Sequence, residues 1–126
     1  MLLIYKEKLP NECCPPPESK DVGLTDVWRF LRSSQPTEAC FASHAAKNIE
    51  NKKAVCPCKW ASCSLYQGER NTKEMLKLQM FKNFVARAKV EIPAGSGHSK
   101  QDGTHVDFWE FDHFSFISAV VQVELK

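Results

Sequence analysis

The carboxyl-terminal end of the chain carries a regular alternation of apolar and polar positions. Over 104–125 the sequence reads THVDFWEFDHFSFISAVVQVEL, a stretch dense in aromatic and β-branched residues. These residue types favour a pleated, half-buried surface, so the stretch predicts strands that the preceding segments cover. One face of this predicted ribbon takes every second residue: Ile117, Ala119, Val121, Val123 and Leu125.

Further strands are predicted earlier in the chain. The residues 84–92 alternate between apolar side chains and mostly charged ones, which predicts a strand with one buried face and one basic face. Shorter apolar runs at 22–32 and 60–66 predict two strands inside the domain, and the run at 2–5 predicts a short edge strand.

Two segments have the spacing and the end signals of helices. Pro36 and Glu38 are typical of a first helical turn, and apolar residues recur every four positions from Phe41. This pattern predicts a helix over 37–51. A second helix is predicted over 71–82, where an asparagine and a glutamate three residues later form a capping signal.

These elements follow one another in the order β-β-α-β-α-β-β-β. The order predicts an α+β fold with a mostly antiparallel sheet and two helices on one face. A length of 126 residues suits a single domain over 1–126. Its prolines predict an irregular amino-terminal segment over 1–21, and its glycines and polar residues predict a flexible loop over 93–103.

Composition and charge narrow the class of protein. The formal net charge is +2, and basic residues concentrate in the middle of the chain without interleaved aromatic residues. This pattern is typical of solvated helix faces rather than of a nucleic-acid site, so no nucleic-acid partner is expected. No apolar run approaches the length of a membrane span, so no membrane association is expected.

The amino terminus and the cysteines together predict a compartment. The first residues, MLLIYKEKLP, contain too short an apolar run for a secretory signal, which predicts a cytoplasmic protein. The chain has six cysteines, and without a secretory signal that number favours free thiols over a disulfide framework.

A thiol nucleophile is the first candidate for chemistry. Cys40 falls in the first turn of the predicted helix 37–51, where backbone N–H groups and the helix dipole stabilise a thiolate. His105 opens a later strand and would act as the base, with Asp107 or His113 orienting its ring. A helix-borne cysteine before a strand-borne histidine in a His-Val-Asp-Phe-Trp run resembles the papain-like amidases, which implies an amidase activity. The structural alternative is a small buried thiol.

A metal site is the second candidate. Cys40 and His44 lie four residues apart and would chelate from one face of the predicted helix. With the cysteine-rich connection, the set that would suit zinc is Cys40, His44, Cys56, Cys58 and Cys63. The alternative is that the thiols of the connection pack around Trp60 without a metal. No cofactor is therefore predicted outright, and zinc is the metal that this set would suit.

A site for an anionic ligand is the third candidate. Arg29 and Arg32 carry guanidinium groups, which bind a phosphate through two N–H groups at once. With His44 they make up the predicted ligand-binding set, placed where the helix 37–51 begins and the strand from 104 starts. The order of residue types resembles ADP-ribosyltransferase-like folds, which implies a nucleotide cleft formed by Arg29 or Arg32, Ser62 or Ser64, and His105 or Glu110. The alternative for both arginines is ion pairing at the sheet edge.

Several short segments share one more likeness. They read W-R-F-L-R, P-T, F-A-S-H-A, S-L-Y and T-H-V-D-F-W. This pattern resembles a group of small bacterial proteins known only as hypothetical proteins, and it brings no activity with it. The resemblance implies one shared site formed by Arg29, Arg32, Ser43, His44 and His105. The chain departs from the pattern at its Cys-Pro-Cys run.

The sequence therefore predicts a small soluble bacterial protein that binds a small molecule or a partner. A Cys/His enzyme and a structural zinc-binding domain are the alternatives. The aromatic residues near the carboxyl terminus exceed what one sheet face buries: Trp109, Phe111, Phe114 and Phe116. Surplus apolar surface on an edge strand favours self-association, so we predict a homodimer through the carboxyl-terminal strands.

Overall fold

Six strands build the framework of the protein in the computed structural model, which describes residues 5–11, 14–47 and 49–126. In chain order they are β1 (Leu24–Leu31), β2 (Cys63–Gln67), β3 (Ala86–Ile92), β4 (Gly97–Asp102), β5 (His105–Glu110) and β6 (Val120–Leu125). They form one sheet in the spatial order β4-β5-β2-β1-β3-β6, and every neighbouring pair is antiparallel. The predicted α+β fold with a mostly antiparallel sheet is confirmed.

Short helical turns connect the strands. They are α1 (Pro57–Trp60), α2 (Glu69–Met75), α3 (Phe116–Ala119) and the two 3-10 turns Glu38–Phe41 and Gln79–Phe81. α2 packs against β1 and β2, whereas α3 packs against β3 and the first 3-10 turn, so helical turns lie on both faces of the sheet. In the part of the chain that the structure describes, none of these helices has the length and apolar character needed to span a membrane.

One face of the sheet, which we call the core face, carries the main hydrophobic core. On β3, Ala86, Ala88 and Val90 have no exposed surface, as the predicted alternation requires. Phenylalanines from outside the sheet close over this face, and Phe41 stacks on Phe116 with 4.6 Å between ring centroids. Because each aromatic ring removes about 150–250 Å² from water, this cluster contributes a large part of the stability.

The opposite face of the sheet carries a second apolar cluster beneath α2. Phe30 stacks on Tyr66 with 5.0 Å between ring centroids, and Phe81 meets Phe30 edge-on. The second predicted helix is divided into α2 and a 3-10 turn, and this division lets both Leu76 and Phe81 enter the cluster.

The helix predicted over 37–51 is wrong beyond its first turn. Only Glu38–Phe41 is helical in the described part of this range, and turns follow it. Two side chains occupy backbone groups that a continuing helix would need. Arg29 donates to two carbonyl oxygens of the segment, and Glu7 accepts from the backbone N–H of Ser43.

The loop predicted over 93–103 contains a strand. β4 pairs with β5 along its whole length, although its polar composition shows no apolar alternation. Gly97 lies so close to the backbone of Trp109 and Glu110 that any side chain there would collide with it. Polar residues suit β4 because it stands at one edge of the sheet, where its outer side is bridged at Ser99 by the backbone of Lys20 instead of by a further strand.

The carboxyl-terminal ribbon is two strands separated by a helical turn. α3 interrupts the alternation, and Ile117, Val121 and Leu125 are therefore 50%, 53% and 68% exposed instead of buried. The aromatic residues predicted to exceed one face are all buried: Trp109, Phe111, Phe114 and Phe116. Surplus aromatic surface thus gives no support to a dimer, although β6 does stand at the other edge of the sheet.

The amino-terminal segment reaches across the end of β5. Tyr5 forms an isolated bridge with Phe111, which continues the chain beyond that strand. Most of the edge strand predicted over 2–5 lies outside the described residues. Cys13 and Asn48 also lie outside them.

A disulfide bond joins the amino-terminal segment to α1. Cys14 and Cys58, which are 44 residues apart in the sequence, are bonded through their sulfur atoms. The prediction of free thiols is therefore wrong for this pair, because the fold brings together two cysteines that sequence spacing does not relate. Among the described cysteines, Cys40, Cys56 and Cys63 are free.

Candidate functional site

A gap opens in the sheet where β1 and β2 separate. The two strands pair at two positions, Val27 with Gln67 and Trp28 with Tyr66. Beyond Trp28, β1 continues along β3 and β2 continues along β5. A cavity of about 370 Å³ lies beside this gap, and its volume falls within the range of small-molecule sites.

Arg29 crosses the gap and is held in a fixed orientation. Its Nη1 donates to the carbonyl oxygen of Ser64 at 2.8 Å, which links the two strands where they no longer pair. Its Nε donates to the carbonyl oxygen of Cys40 at 2.8 Å, and its Nη2 donates to that of Ala42 at 3.3 Å. A guanidinium has five N–H groups, so two remain for a ligand after these three bonds.

The wall of the cavity is basic. Among the described residues, four with basic side chains line it: Arg29, Arg32, His44 and Lys47. No aspartate or glutamate occurs among the described residues that line it. Gathering positive charges without a carboxylate is unfavourable, and a bound anion would remove this repulsion.

Burial and the neighbouring charges change the protonation of two of these side chains. Burial lowers the pKa of His44, and the positive charges of Arg29, Lys47 and Arg32 lower it further. Burial also lowers the pKa of Lys47, and Arg29 contributes again. Because a bound anion would oppose the electrostatic part of these shifts, anion binding is linked to proton uptake by His44.

Aromatic side chains form another part of the wall. Phe84 and Tyr66 line the cavity, and the guanidinium carbon of Arg32 lies 4.7 Å from the ring centroid of Phe84. Trp60 contacts His44, with 4.4 Å between their ring centroids. These contacts restrict the positions of Arg32 and His44. The site therefore combines positioned cations with flat apolar surface.

The structure brings the predicted ligand-binding residues to this one cavity. Arg29, Arg32 and His44 all line it, and so does Cys40, the predicted nucleophile. The sulfur of Cys40 accepts a hydrogen bond from the backbone N–H of Thr37 at 3.4 Å. Cys40 is half-buried and packs between the main core and the cavity.

The predicted base and its carboxylate partner lie outside the cavity wall. His105 and Asp107 are on the face opposite the core face, and Tyr66 separates them from the cavity, with 5.2 Å between the Tyr66 and His105 ring centroids. Asp107 accepts from the hydroxyl of Ser62 at 3.0 Å, and its Oδ1 lies 3.7 Å from Nδ1 of His105. Burial lowers the pKa of His105 although Asp107 opposes the shift. The cavity histidine is His44 instead.

Other residues of the predicted nucleotide cleft are also absent from the cavity wall. Ser64 contributes its backbone carbonyl to Arg29, and its side chain does not line the cavity. Glu110 lies on the core face beside a separate, much smaller cavity. The ring of His113, the second candidate for orienting the base, contacts the carbonyl oxygen of Gly95 at 2.9 Å.

The predicted zinc ligands are not brought together. Cys58 is bonded to Cys14 and has no thiolate to offer a metal. Cys63 is buried in the core, and burial raises the pKa of its thiol to about 12, which disfavours the thiolate that zinc binds. Across 5–11, 14–47 and 49–126, no group of three or more His, Cys, Asp or Glu side chains is placed to hold a metal ion.

Lys47 is a cavity residue that was not predicted from the sequence. It belongs to a stretch of lysines that is typical of a solvated face, and its one signal is its position three residues after His44. The backbone N–H of Lys47 donates to the carbonyl oxygen of Ser43 at 3.2 Å. This turn places His44 and Lys47 in the wall of the same cavity.

No family model matches the chain, and neither a curated protein nor a solved structure matches it. The likeness to small bacterial hypothetical proteins therefore stays a prediction.

Proposed function

We propose that this protein binds a small anionic molecule, carrying a phosphate or carboxylate group, in the cavity beside the gap between β1 and β2. The observation that carries the proposal is a wall with four basic side chains and, among its described residues, no acidic one: Arg29, Arg32, His44 and Lys47. Charge-assisted hydrogen bonds from such groups are roughly twice as strong as neutral ones.

The fixed orientation of Arg29 favours an oxyanion over a simple halide. Three carbonyl oxygens hold its guanidinium, so its remaining N–H groups point in set directions. A planar guanidinium matches two oxygens of a phosphate or carboxylate at once. Since the group is already ordered, binding loses little side-chain entropy.

The aromatic part of the wall favours a ligand with a flat apolar portion. Tyr66 and Phe84 line the cavity together with the cationic groups. A volume of about 370 Å³ is larger than a single phosphate needs. Phenyl phosphate should therefore bind more tightly than inorganic phosphate, because only the first also removes apolar surface from water.

Calorimetric titration of the purified protein with these two phosphates tests the proposal. We expect saturable 1:1 binding that Arg32→Gln weakens about tenfold, because it removes one charge-assisted contact. The matched control is Lys73→Gln, which removes an exposed lysine on α2, outside the cavity wall. Absence of binding, or equal weakening by both substitutions, would contradict the proposal.

A separate observation favours a second function, self-association of two copies through the exposed edge of β6. β6 is an edge strand, and Val121 and Leu125 on it are 53% and 68% exposed. Two copies related by a twofold axis would pair these edges in antiparallel fashion. Sedimentation should show a dimer that Val121→Lys converts to a monomer, and a monomeric wild type would exclude this interface.

A bacterial origin and a cytoplasmic location stay predictions from the sequence. The bond between Cys14 and Cys58 supports a different compartment, because disulfides persist in oxidising environments and are rare in the cytoplasm. Alkylation of protein recovered from its cells, followed by mass spectrometry, distinguishes the two. A cytoplasmic protein should have both thiols modified, and a protein of an oxidising compartment should have neither.

A further inference from the structure

The residues 5–9, which we call the strap, are attached to the end of β5. The backbone N–H of Lys6 donates to the carbonyl oxygen of Glu110 at 3.0 Å. The hydroxyl of Tyr5 lies 2.8 Å from Nδ1 of His98 on β4, and the amine of Lys6 donates to the carbonyl oxygen of Phe114. The strap is therefore fixed at the end of the sheet that Glu110 occupies.

The strap also holds the residues 42–47, which we call the cavity loop. Glu7 accepts from the backbone N–H of Ser43 at 3.0 Å and from its hydroxyl at 2.5 Å, so both carboxylate oxygens bind the loop. The hydroxyl of Ser43 in turn accepts from the backbone N–H of Ala46 at 3.1 Å. Glu7 thus anchors the turn at Ser43, and this turn places His44 and Lys47 in the wall of the anion cavity.

Glu110 is a buried carboxyl group beside this anchor. It is 7% exposed, and its Oε2 has no hydrogen-bond partner among the described residues. Glu110 and Glu7 line a second cavity of about 10 Å³, which is at the lower limit of the space that holds one water molecule. Because both carboxyl groups line this cavity, the negative charge of Glu7 disfavours ionisation of Glu110.

Charged groups from each surrounding element act on Glu110. Burial raises the pKa of Glu110 to about 7, and Glu7 of the strap and Glu38 of the first 3-10 turn raise it, while Lys6 and Arg29 oppose them. The Cys63 thiol of β2 lines the same small cavity and stays neutral, because burial raises its pKa to about 12. β4 contributes Gly97 opposite Glu110 and no charge at that position.

We infer that Glu110 is a proton-operated latch on the anion cavity. With Glu110 neutral, the strap holds Glu7 against Ser43, and the cavity loop keeps His44 and Lys47 on the wall. When Glu110 loses its proton, it repels Glu7, the bond to Ser43 weakens and the loop loosens. Anion affinity then falls as the pH rises. This inference rests on the proposed function, because it concerns regulation of the same site.

Phosphate titrations from pH 5.5 to 8.5 test the latch. His44 is a second titratable group of the cavity, so His44→Asn is compared with the double variant His44→Asn/Glu110→Gln. We expect the affinity of the first, divided by that of the second, to fall about tenfold around pH 7, since glutamine cannot ionise and the ionisation of phosphate itself cancels in this ratio. Glu91→Gln, an exposed change on β3, should keep the fall. Identical profiles with and without Glu110→Gln would overturn the latch.

Amide hydrogen exchange separates failure of the latch from failure of the proposed function. Protection factors at Ser43, Ala46 and Lys47 should drop between pH 6 and 8 in the wild type and stay constant in Glu110→Gln. If this drop occurs but phosphate binds at no pH, the latch stands and the anion site is wrong. If protection is constant in the wild type, the latch is wrong whatever phosphate does.

A second variant covers the case in which Glu110→Gln does not fold. Glu7→Gln keeps an oxygen for the Ser43 N–H and removes the charge that an ionised Glu110 would repel. It should therefore flatten the pH dependence of loop protection as well. Retention of the full wild-type dependence in Glu7→Gln would overturn the inference, because no other described carboxylate lines the small cavity with Glu110.

Discussion

Two inward-facing arginines on neighbouring strands, Arg87 and Arg29, have opposite electrostatic surroundings. Arg87 on β3 is 2% exposed, and its Nη2 forms an ion pair with Oε2 of Glu124 at 2.8 Å. Its Nη1 donates to the hydroxyl of Thr72 at 2.7 Å, and its guanidinium carbon lies 3.9 Å from the ring centroid of Trp28. The charge of Arg87 is thus compensated within the fold.

Arg29 has carbonyl oxygens where Arg87 has a carboxylate. Carbonyl oxygens satisfy its N–H groups but carry no net charge, so its positive charge remains. Within the described residues, no carboxylate lies at ion-pair distance from Arg29. The difference between the two arginines shows that a guanidinium can have its hydrogen bonds satisfied while its charge is not compensated. Arg87 stabilises the fold, and Arg29 is available to an anion.

Replacing Arg87 with methionine should cause the largest loss of stability. The change leaves the carboxylate of Glu124 with its hydrogen bond from Gln122 but without its ion-pair partner, and breaking a buried ion pair costs about 3–5 kcal/mol. Because the Glu124 side chain is 34% exposed, we expect the lower end, about 3 kcal/mol, in urea unfolding. Arg29→Met should cost about 1–3 kcal/mol, since it leaves carbonyl oxygens but no charge unpaired.

The same two variants separate structure from binding. Arg87→Met should keep the phosphate affinity of the wild type under conditions where it is folded, and Arg29→Met should lose it. If both lose affinity to the same extent, the two arginines do not differ in the way their surroundings indicate.

A third buried ionisable group, Glu110, extends the comparison because its Oε2 has no partner in the described structure. Burial raises its pKa to about 7 from the ordinary value of 4.5. Between these values the native state keeps a proton that the unfolded chain loses. The stabilising contribution is therefore full below pH 4.5 and is lost as the pH rises to 7, by roughly 3 kcal/mol.

Glu110→Gln should remove this dependence. We expect the variant to exceed the wild type in unfolding free energy at pH 8 by up to about 3 kcal/mol, with the advantage shrinking as the pH falls to 4.5. Urea unfolding across this range measures the difference. Parallel stability profiles for the two proteins would show that Glu110 ionises normally in the native state.

Lys47→Gln tests whether the cavity charges serve binding rather than folding. The affinity for phosphate should fall about tenfold, because one charge-assisted contact is lost. The unfolding free energy should stay within about 0.5 kcal/mol, since the change relieves repulsion from Arg29 and breaks no ion pair. A large loss of stability together with unchanged affinity would place Lys47 with Arg87, as a structural residue.

The smallest expected effect concerns His44. Because a bound anion favours its charged form, His44 should contribute about a threefold rise in affinity as the pH falls through the range in which it titrates. Measurements in Glu110→Gln isolate this step, and adding His44→Asn should abolish it. An unchanged pH dependence after His44→Asn would mean that the imidazole does not face the anion.

The strands were predictable because their pattern is local. On β3 every second residue is small and apolar, and Ala86, Ala88 and Val90 are all fully buried. β4 was not predictable, since an edge strand beside a close backbone contact at Gly97 needs no apolar alternation. The disulfide between Cys14 and Cys58 also depends on long-range contacts.

The sequence predicts part of the site, because the chemical types of the residues indicate anion binding whereas the backbone that carries them depends on long-range contacts. Arg29, Arg32 and His44 were grouped by chemical type, and all three line one cavity. The helix predicted to carry His44 does not form beyond its first turn, because Arg29 and Glu7 bind its backbone groups. Lys47 enters the site only through the turn that replaces that helix.

The most direct test of the anion site observes the two arginines in one experiment. The Nε–Hε resonances of Arg29 and Arg87 are followed by NMR while phosphate is added to the wild type. Arg29 should shift saturably, together with the amides of His44 and Lys47, and Arg87 should stay constant. An anion site at Arg29 is contradicted if the Arg29 resonance does not move, or if both arginine resonances drift in parallel and without saturation, as they would with added salt.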